Sequence, residues 1–267
     1  MENKKVTEAN REAWNEAAPI HQKNRKVNLK EEFKHKGYST FDEIETGKLK
    51  EIGLKGKRAA QLCCNNGRET ISLVNLGAES AVGFDISDEV IKEARELAEI
   101  AGVNCRFVRT DIYDIGKEYY DTFDFVYITV GSLVWMPDIE GFFRIASKML
   151  KPGGTIMIYD EHPFTYMMAI EGDEEYDADD PMKIVNSYFR KEPWIDNDGI
   201  DYIGRSKYMG KTSYNFTRKI SDIINALIKQ GILITELNEY THSINTFFGE
   251  QEKYEKMPLS YILIGQK

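Results

Sequence analysis

Short apolar runs alternate with amphipathic stretches along most of this chain. The runs near 59–63, 80–84, 104–108, 122–129, 154–160, 232–239 and 259–265 have the length and continuity of buried strands. Between the first five, 68–76, 88–101 and 138–149 show helical spacing, whereas the link from Ile112 to Asp121 predicts irregular structure. The sequence KPGG at 151–154 punctuates a helix end before the fifth strand. Residues 216–231, FTRKISDIINALIKQG, predict an amphipathic helix stopped by Gly231. At the other end, residues 5–35 read as helical, with Ala9, Ala13, Trp14, Ala17 and Ile20 on one side. A short helix over FDEIETGKLKEIG follows Ser39 and Thr40 and stops near Gly53.

Strands that alternate with helices predict an α/β fold, a parallel sheet covered on both faces and wound by right-handed crossovers. Ligands in such sheets bind beyond the carboxyl ends of the strands, where strand order reverses. The alternation breaks between Asp160 and Phe216. The first part, DEHPFTYMMAIEGDEEYDADDP, is acidic and loop-like. The second predicts an antiparallel ribbon rich in Tyr, Phe and Trp, turning at Asn197-Asp198-Gly199.

A length of 267 residues suits one large domain, or one with a sizeable insertion. Charged residues are 30% and hydrophobic residues 42%, and no apolar run approaches the ~20 residues of a membrane span. The N-terminus has no apolar core of the secretory type, so the expected location is cytoplasmic, with no membrane partner. A net charge of −9 disfavours nucleic acid, whose binding rests on Lys and Arg. Lys23 to Lys36 is a local basic cluster, read as a solvated helix face. Cys63, Cys64 and Cys105 form no Cys-x-x-Cys pair, so neither zinc nor a disulfide framework is implied. The acidic run Asp173 to Asp180 lacks the spaced glycine and terminal Glu of a calcium loop, and no metal site is expected.

The chemistry concentrates between Arg58 and Ser87. A strand runs into the loop Gln61-Leu62-Cys63-Cys64-Asn65-Asn66-Gly67, then a helix, then a second strand ending in Asp85, 18 positions after Gly67. A backbone turn and a strand-end carboxylate at this spacing suit a nucleoside-containing cofactor, the acid holding the ribose hydroxyls. The loop carries one glycine where dinucleotide sites carry three.

With AVGFDIS, RFVRTDIYD, FDFVYITVGSLVWMPDIEGFFRIASKMLKPGG and a terminal helix-strand-strand unit following in order, the chain from about 55 to 267 resembles class I S-adenosylmethionine-dependent methyltransferases, the insertion matching less well. More narrowly, GSLVWMPD after the fourth strand and EHPF after the fifth resemble small-molecule methyltransferases of unassigned substrate. The loop departs from the family pattern: Gln61 replaces an acid, Cys63 and Asn65 replace glycines. Asn tolerates positive φ and Cys is small, so backbone approach to the cofactor survives.

The resemblance implies a Rossmann-like, doubly wound seven-stranded sheet with an antiparallel last strand. It divides the chain into an N-terminal helical lid (1–54), a cofactor-binding domain (55–160 and 217–267) and an inserted substrate cap (161–216). It implies S-adenosyl-L-methionine held by Leu62, Cys63, Cys64, Asn65, Gly67, Asp85, Ile86, Thr110, Asp111, Ile112, Thr129 and Val130. Asp111 accepts from the adenine amino group while Ile112 packs on the ring. The reaction is in-line methyl transfer to a small-molecule acceptor. His162, oriented by Asp160 and Glu161, is the candidate general base. Trp14, His21, Tyr38, Trp135 and Phe247 are candidate substrate contacts. The aromatic ribbon is either a cap over the substrate or a homodimer surface. Two rivals stand beside this reading: a protein that binds the cofactor without catalysis, and a nicotinamide-dependent oxidoreductase. The Tyr-x-x-x-Lys spacing at Tyr113 and Lys117 suggests the second, but Gly116 lies inside it and Gly-x-Gly-x-x-Gly is absent.

Overall fold

The computed structural model describes residues 3–245 and 247–267. Strands β1 (Arg58–Leu62), β2 (Ser80–Asp85), β3 (Cys105–Arg109), β4 (Phe123–Thr129), β5 (Leu150–Glu161), β8 (Leu233–Tyr240) and β9 (Ser260–Gln266) form one seven-stranded sheet, ordered β3-β2-β1-β4-β5-β9-β8. The first five run parallel, and β9 inserts antiparallel between β5 and β8. The chain order reverses between β1 and β4, so the crevice at their carboxyl ends is the expected ligand site.

Side-chain alternation divides the core between the two faces. Val126 and Ile128 of β4 pack with Phe142, Phe143 and Met149 of α6 (Ile139–Met149), and with Ile223 and Leu227 of α7 (Ile220–Lys229). Phe125 and Tyr127 face the other way, toward Leu49 of α3 (Glu43–Ile52) and Leu73 of α4 (Arg68–Asn75). Helix α5 (Asp88–Ala101) covers the β2–β3 edge, its start capped by Ser87 and its end by the left-handed Gly102. The irregular link expected after β3 forms two single 3-10 turns, 112–114 and 117–119.

Three elements differ from the sequence pattern. The N-terminal helix is α1 (Asn3–Asn24), and only the one-turn α2 (Leu29–Glu32) continues it. Helix α7 is ten residues, shorter than the apolar spacing suggested, and Lys219 caps it. The ribbon contracts to β6 (Trp194–Asp196) and β7 (Ser213–Asn215), paired antiparallel, with a long excursion between them. Outside this short ladder the aromatic residues pack onto neighbouring elements, as Tyr188 does on Phe164 and Tyr202 on His21. The last short helix is α8 (Gly249–Glu252).

Candidate active site

The loop after β1 keeps a glycine-type backbone without the glycines. Cys63 (φ 55°) and Asn65 (φ 48°) both sit in the left-handed region. An L-residue there costs about 1–2 kcal/mol, less for Asn, whose side chain bonds locally. Asn65 does so, its Oδ1 accepting from the Asn66 amide at 2.7 Å. Gly67 (φ 73°) opens α4, and a Cβ on it would lie 2.4 Å from the Phe107 ring. Gln61 accepts a hydrogen bond from the Thr70 hydroxyl, so the position usually acidic is used internally.

Asp85 ends β2 beside this loop. Its Oδ2 accepts from the Asn65 amide at 2.9 Å and its Oδ1 from the Ser87 amide at 2.9 Å. Burial raises its pKa while these amides pull it down. One strand over, Asp111 accepts from the Thr7 hydroxyl at 2.6 Å and the Tyr113 amide at 3.1 Å, with Lys4 Nζ 3.7 Å away.

These groups share one cavity of about 640 Å³. Cys63, Cys64, Asn65, Asp85, Ile86, Asp111, Ile112, Thr129 and Val130 line it, as do Trp14, Trp135 and Phe247. Helix α1 lies across it. Asn10 bridges to β7 by accepting from the Tyr214 amide at 2.7 Å and donating to the Tyr214 carbonyl at 3.0 Å. Trp14 meets Trp135 edge to face at 5.2 Å. On the α5 side, Arg11 pairs with Asp88, Asn15 Oδ1 accepts from the Ser87 hydroxyl, and Arg25 pairs with Glu93.

Several expected residues lie elsewhere. Leu62 is wholly buried in the core, Gly67 is packed under Phe107, and Thr110 pairs its amide with the Asp85 carbonyl. His21 sits one layer behind the wall. Its ring donates to the Ile200 carbonyl and stacks edge-on against Tyr202 at 4.4 Å, and burial lowers its pKa. Tyr38 packs on Phe33, away from the cavity.

His162 is also outside the cavity wall. It is 1% exposed, with Nε2 3.0 Å from Glu239 Oε1 and Nδ1 accepting from the Phe164 amide. Burial lowers its pKa, and neither Asp160 nor Glu161 orients it. Asp160 instead accepts from the Gly131 and Glu161 amides, both at 2.9 Å, which fixes the turn after β4 against the end of β5.

Sequence reasoning gives Glu161 only the task of orienting His162. It lines the cavity and is 5% exposed. Its Oε1 accepts from the Ser243 hydroxyl (2.9 Å) and the Ile244 (2.9 Å) and Asn245 (3.1 Å) amides. Its Oε2 is buried without a hydrogen-bond donor among the described residues. Burial and the Asp160 charge push its pKa up to about 7, against those three bonds. Tyr166, Tyr202 and Phe216 join the same wall. Among the described residues no group of His, Cys, Asp or Glu is arranged to hold a metal ion. Among the described residues no helix is long and apolar enough to cross a membrane.

Residues 59–154 match the family described as "Methyltransferase domain". The chain is similar to a ubiquinone biosynthesis O-methyltransferase of Psychrobacter cryohalolentis, 28% identical over 171 residues, covering 61% of this chain and 65% of that protein. Among solved structures it is similar to an S-adenosylmethionine-dependent methyltransferase from Mesorhizobium loti (TM-score 0.61, 22% identity, 83% of this chain and 96% of that one). It is also similar to one described as a putative S-adenosylmethionine-dependent methyltransferase from Listeria monocytogenes (TM-score 0.61, 19% identity, 83% and 96%).

Proposed function

We propose that this chain, whose residues 59–154 carry a methyltransferase domain within a class I fold, transfers a methyl group from S-adenosyl-L-methionine to a small-molecule acceptor. One observation carries the reading. The left-handed Cys63–Asn65 loop, Asp85 and Asp111 converge on one end of a single cavity whose other end is aromatic and holds a buried, half-satisfied carboxylate. The residues present suit the cofactor despite the missing glycines, because the backbone holds the shape those glycines would give it.

Asp85 would hold the ribose hydroxyls, as an ionised acceptor makes the stronger hydrogen bonds. Asp111 would face the adenine amino group, and Ile112 its ring. Thr129 and Val130, at the end of β4, would border the methionine portion. When bound, the cofactor supplies an electrophilic methyl group on a sulfonium. Everything else is positioning: α1 and the 161–216 insertion act as lid and cap, excluding water and aligning the acceptor. Alignment of this kind contributes up to ~7–11 kcal/mol toward a two-reactant step. The relatives' names and the aromatic lining support a small, partly apolar acceptor.

Calorimetric titration with S-adenosylhomocysteine tests the cofactor half, and formation of S-adenosylhomocysteine from S-adenosylmethionine with an acceptor panel tests the transfer. Micromolar binding with acceptor-dependent turnover is expected. Tight binding without turnover across a broad panel would favour a non-catalytic cofactor binder, and absence of binding would overturn the reading.

A further inference from the structure

Charge is unevenly distributed around the cavity. Among the described residues lining it, Arg68 is the single cation, and it is paired with Glu69 at 2.5 Å. Asp85 and Asp111 stand at the cofactor end. The acceptor end holds Glu161 in its wall, and Asp173, Glu175 and Asp196 at the exposed rim, while the Arg190, Arg205 and Arg218 guanidiniums, which do not line the cavity, lie 3.7, 5.3 and 5.0 Å from the rings of its lining residues Trp194, Phe247 and Phe216. Acidic residues at a rim mean little alone. Glu161 is different because it is buried, fixed by three donors to one oxygen, and left with no donor on the other among the described residues. A buried acceptor without a donor costs about 1–3 kcal/mol, more for a charged group, unless a ligand brings the missing hydrogen.

We infer that the methyl acceptor is an amine on an apolar, aryl-like body, and that its nitrogen gives its proton to Glu161 Oε2, an inference that rests on the methyl-transfer reading above. Trp135, Tyr166, Phe216 and Phe247 supply the apolar surface, and aromatic faces also favour an entering ammonium. An anionic acceptor meets Glu161 Oε2 as a like charge at the point of contact. Burial lowers the pKa of an amine and raises that of a carboxyl, so the pair is driven toward free amine and carboxylic acid once water is excluded. The Glu161 carboxyl, already near neutrality, is suited to take that proton. The step balances. The ammonium N–H bond breaks and its proton passes to Oε2. The freed nitrogen pair forms the bond to the methyl carbon, and the carbon–sulfur pair stays on sulfur.

The test is calorimetry on the full chain saturated with S-adenosylhomocysteine, using phenethylamine, 2-phenylethanol and 3-phenylpropionate as probes. Phenethylamine is expected to bind at least tenfold more tightly than 3-phenylpropionate, with 2-phenylethanol between them. Glu161→Gln is expected to lower phenethylamine affinity at least tenfold and 2-phenylethanol affinity by less than threefold. Its affinity for S-adenosylhomocysteine should stay unchanged. Binding of the carboxylate as tight as the amine, failure of the loaded wild-type protein to bind the amine, or unchanged amine affinity in Glu161→Gln would each overturn the inference. Loss of S-adenosylhomocysteine binding by the wild-type protein would instead strike the methyl-transfer reading itself.

Discussion

The Asn65 amide donates to Asp85 Oδ2 at 2.9 Å, so the loop after β1 and the acid that ends β2 are one unit. Asn65 itself is left-handed at this point of the loop (φ 48°). The missing glycines are therefore replaced in shape, and the carboxylate is preset by two backbone donors rather than by a cation.

Asp85→Ala is expected to weaken S-adenosylhomocysteine binding by about 100-fold. Two hydroxyl bonds to an ionised acceptor are worth ~1.5–3 kcal/mol each, part of which water returns. Asp85→Asn keeps an acceptor oxygen for one of the two amides and should lose less. Calorimetry on both variants checks the order.

Cys63→Gly is expected to stabilise the protein by about 0.5–1 kcal/mol. Relief of ~1–2 kcal/mol of left-handed strain exceeds the extra chain entropy glycine loses on folding. Cys63→Val should destabilise, since a β-branched side chain is a worse occupant of positive φ. Urea titration of the three proteins gives the ranking.

The frame of the molecule is legible in the apolar pattern, since each of the seven predicted runs overlaps a strand of the main sheet. What the pattern does not carry is side-chain direction and depth. Asp160, Glu161 and His162 are consecutive, so neighbours point to opposite faces. Histidine has the neutral-range pKa in water, which singled it out as a base. Burial lowers the pKa of His162 against Glu239 and raises that of Glu161 to about 7, reversing their suitability. The same blindness put Tyr38 and His21 at the substrate, whereas both pack behind the wall. The antiparallel ribbon is present as the β6–β7 pair, but shorter than its alternation suggests. Its residues fold back on other elements, as Tyr188 does on Phe164, so local alternation overstated the ladder.

Glu93→Ala is expected to release α1. Glu93, 7% exposed on its side chain, accepts from both Arg25 Nη groups and from Gln22, and its loss leaves the Arg25 guanidinium without that partner in a largely buried place. Breaking such a pair costs about 3 kcal/mol. Amide exchange over residues 3–24 should accelerate about 100-fold while β1, β4 and β5 keep their protection. Uniform acceleration across the sheet would mean that α1 is part of the global fold rather than a separately opening lid.

Asp160→Asn is expected to stabilise the protein above neutrality and to change little near pH 4. Burial raises the Asp160 pKa from the ordinary carboxylate range to about 7, with the Gly131 and Glu161 amides working against it. Between those two values the folded protein holds a proton that the unfolded chain has released. Stability therefore falls as pH rises through this window, and the full penalty is present above about 7. A shift of this size corresponds to at most about 4 kcal/mol. Glu161 shifts in the same direction and adds to the slope. Asn retains an oxygen for both amides but buries no charge, and its new N–H₂ needs an acceptor, so a net gain of about 1–2 kcal/mol at pH 8 is expected. Denaturant midpoints of wild type and Asp160→Asn at pH 4.5 and 8 decide it. Equal midpoints at both values would mean that Asp160 ionises without penalty in the folded protein.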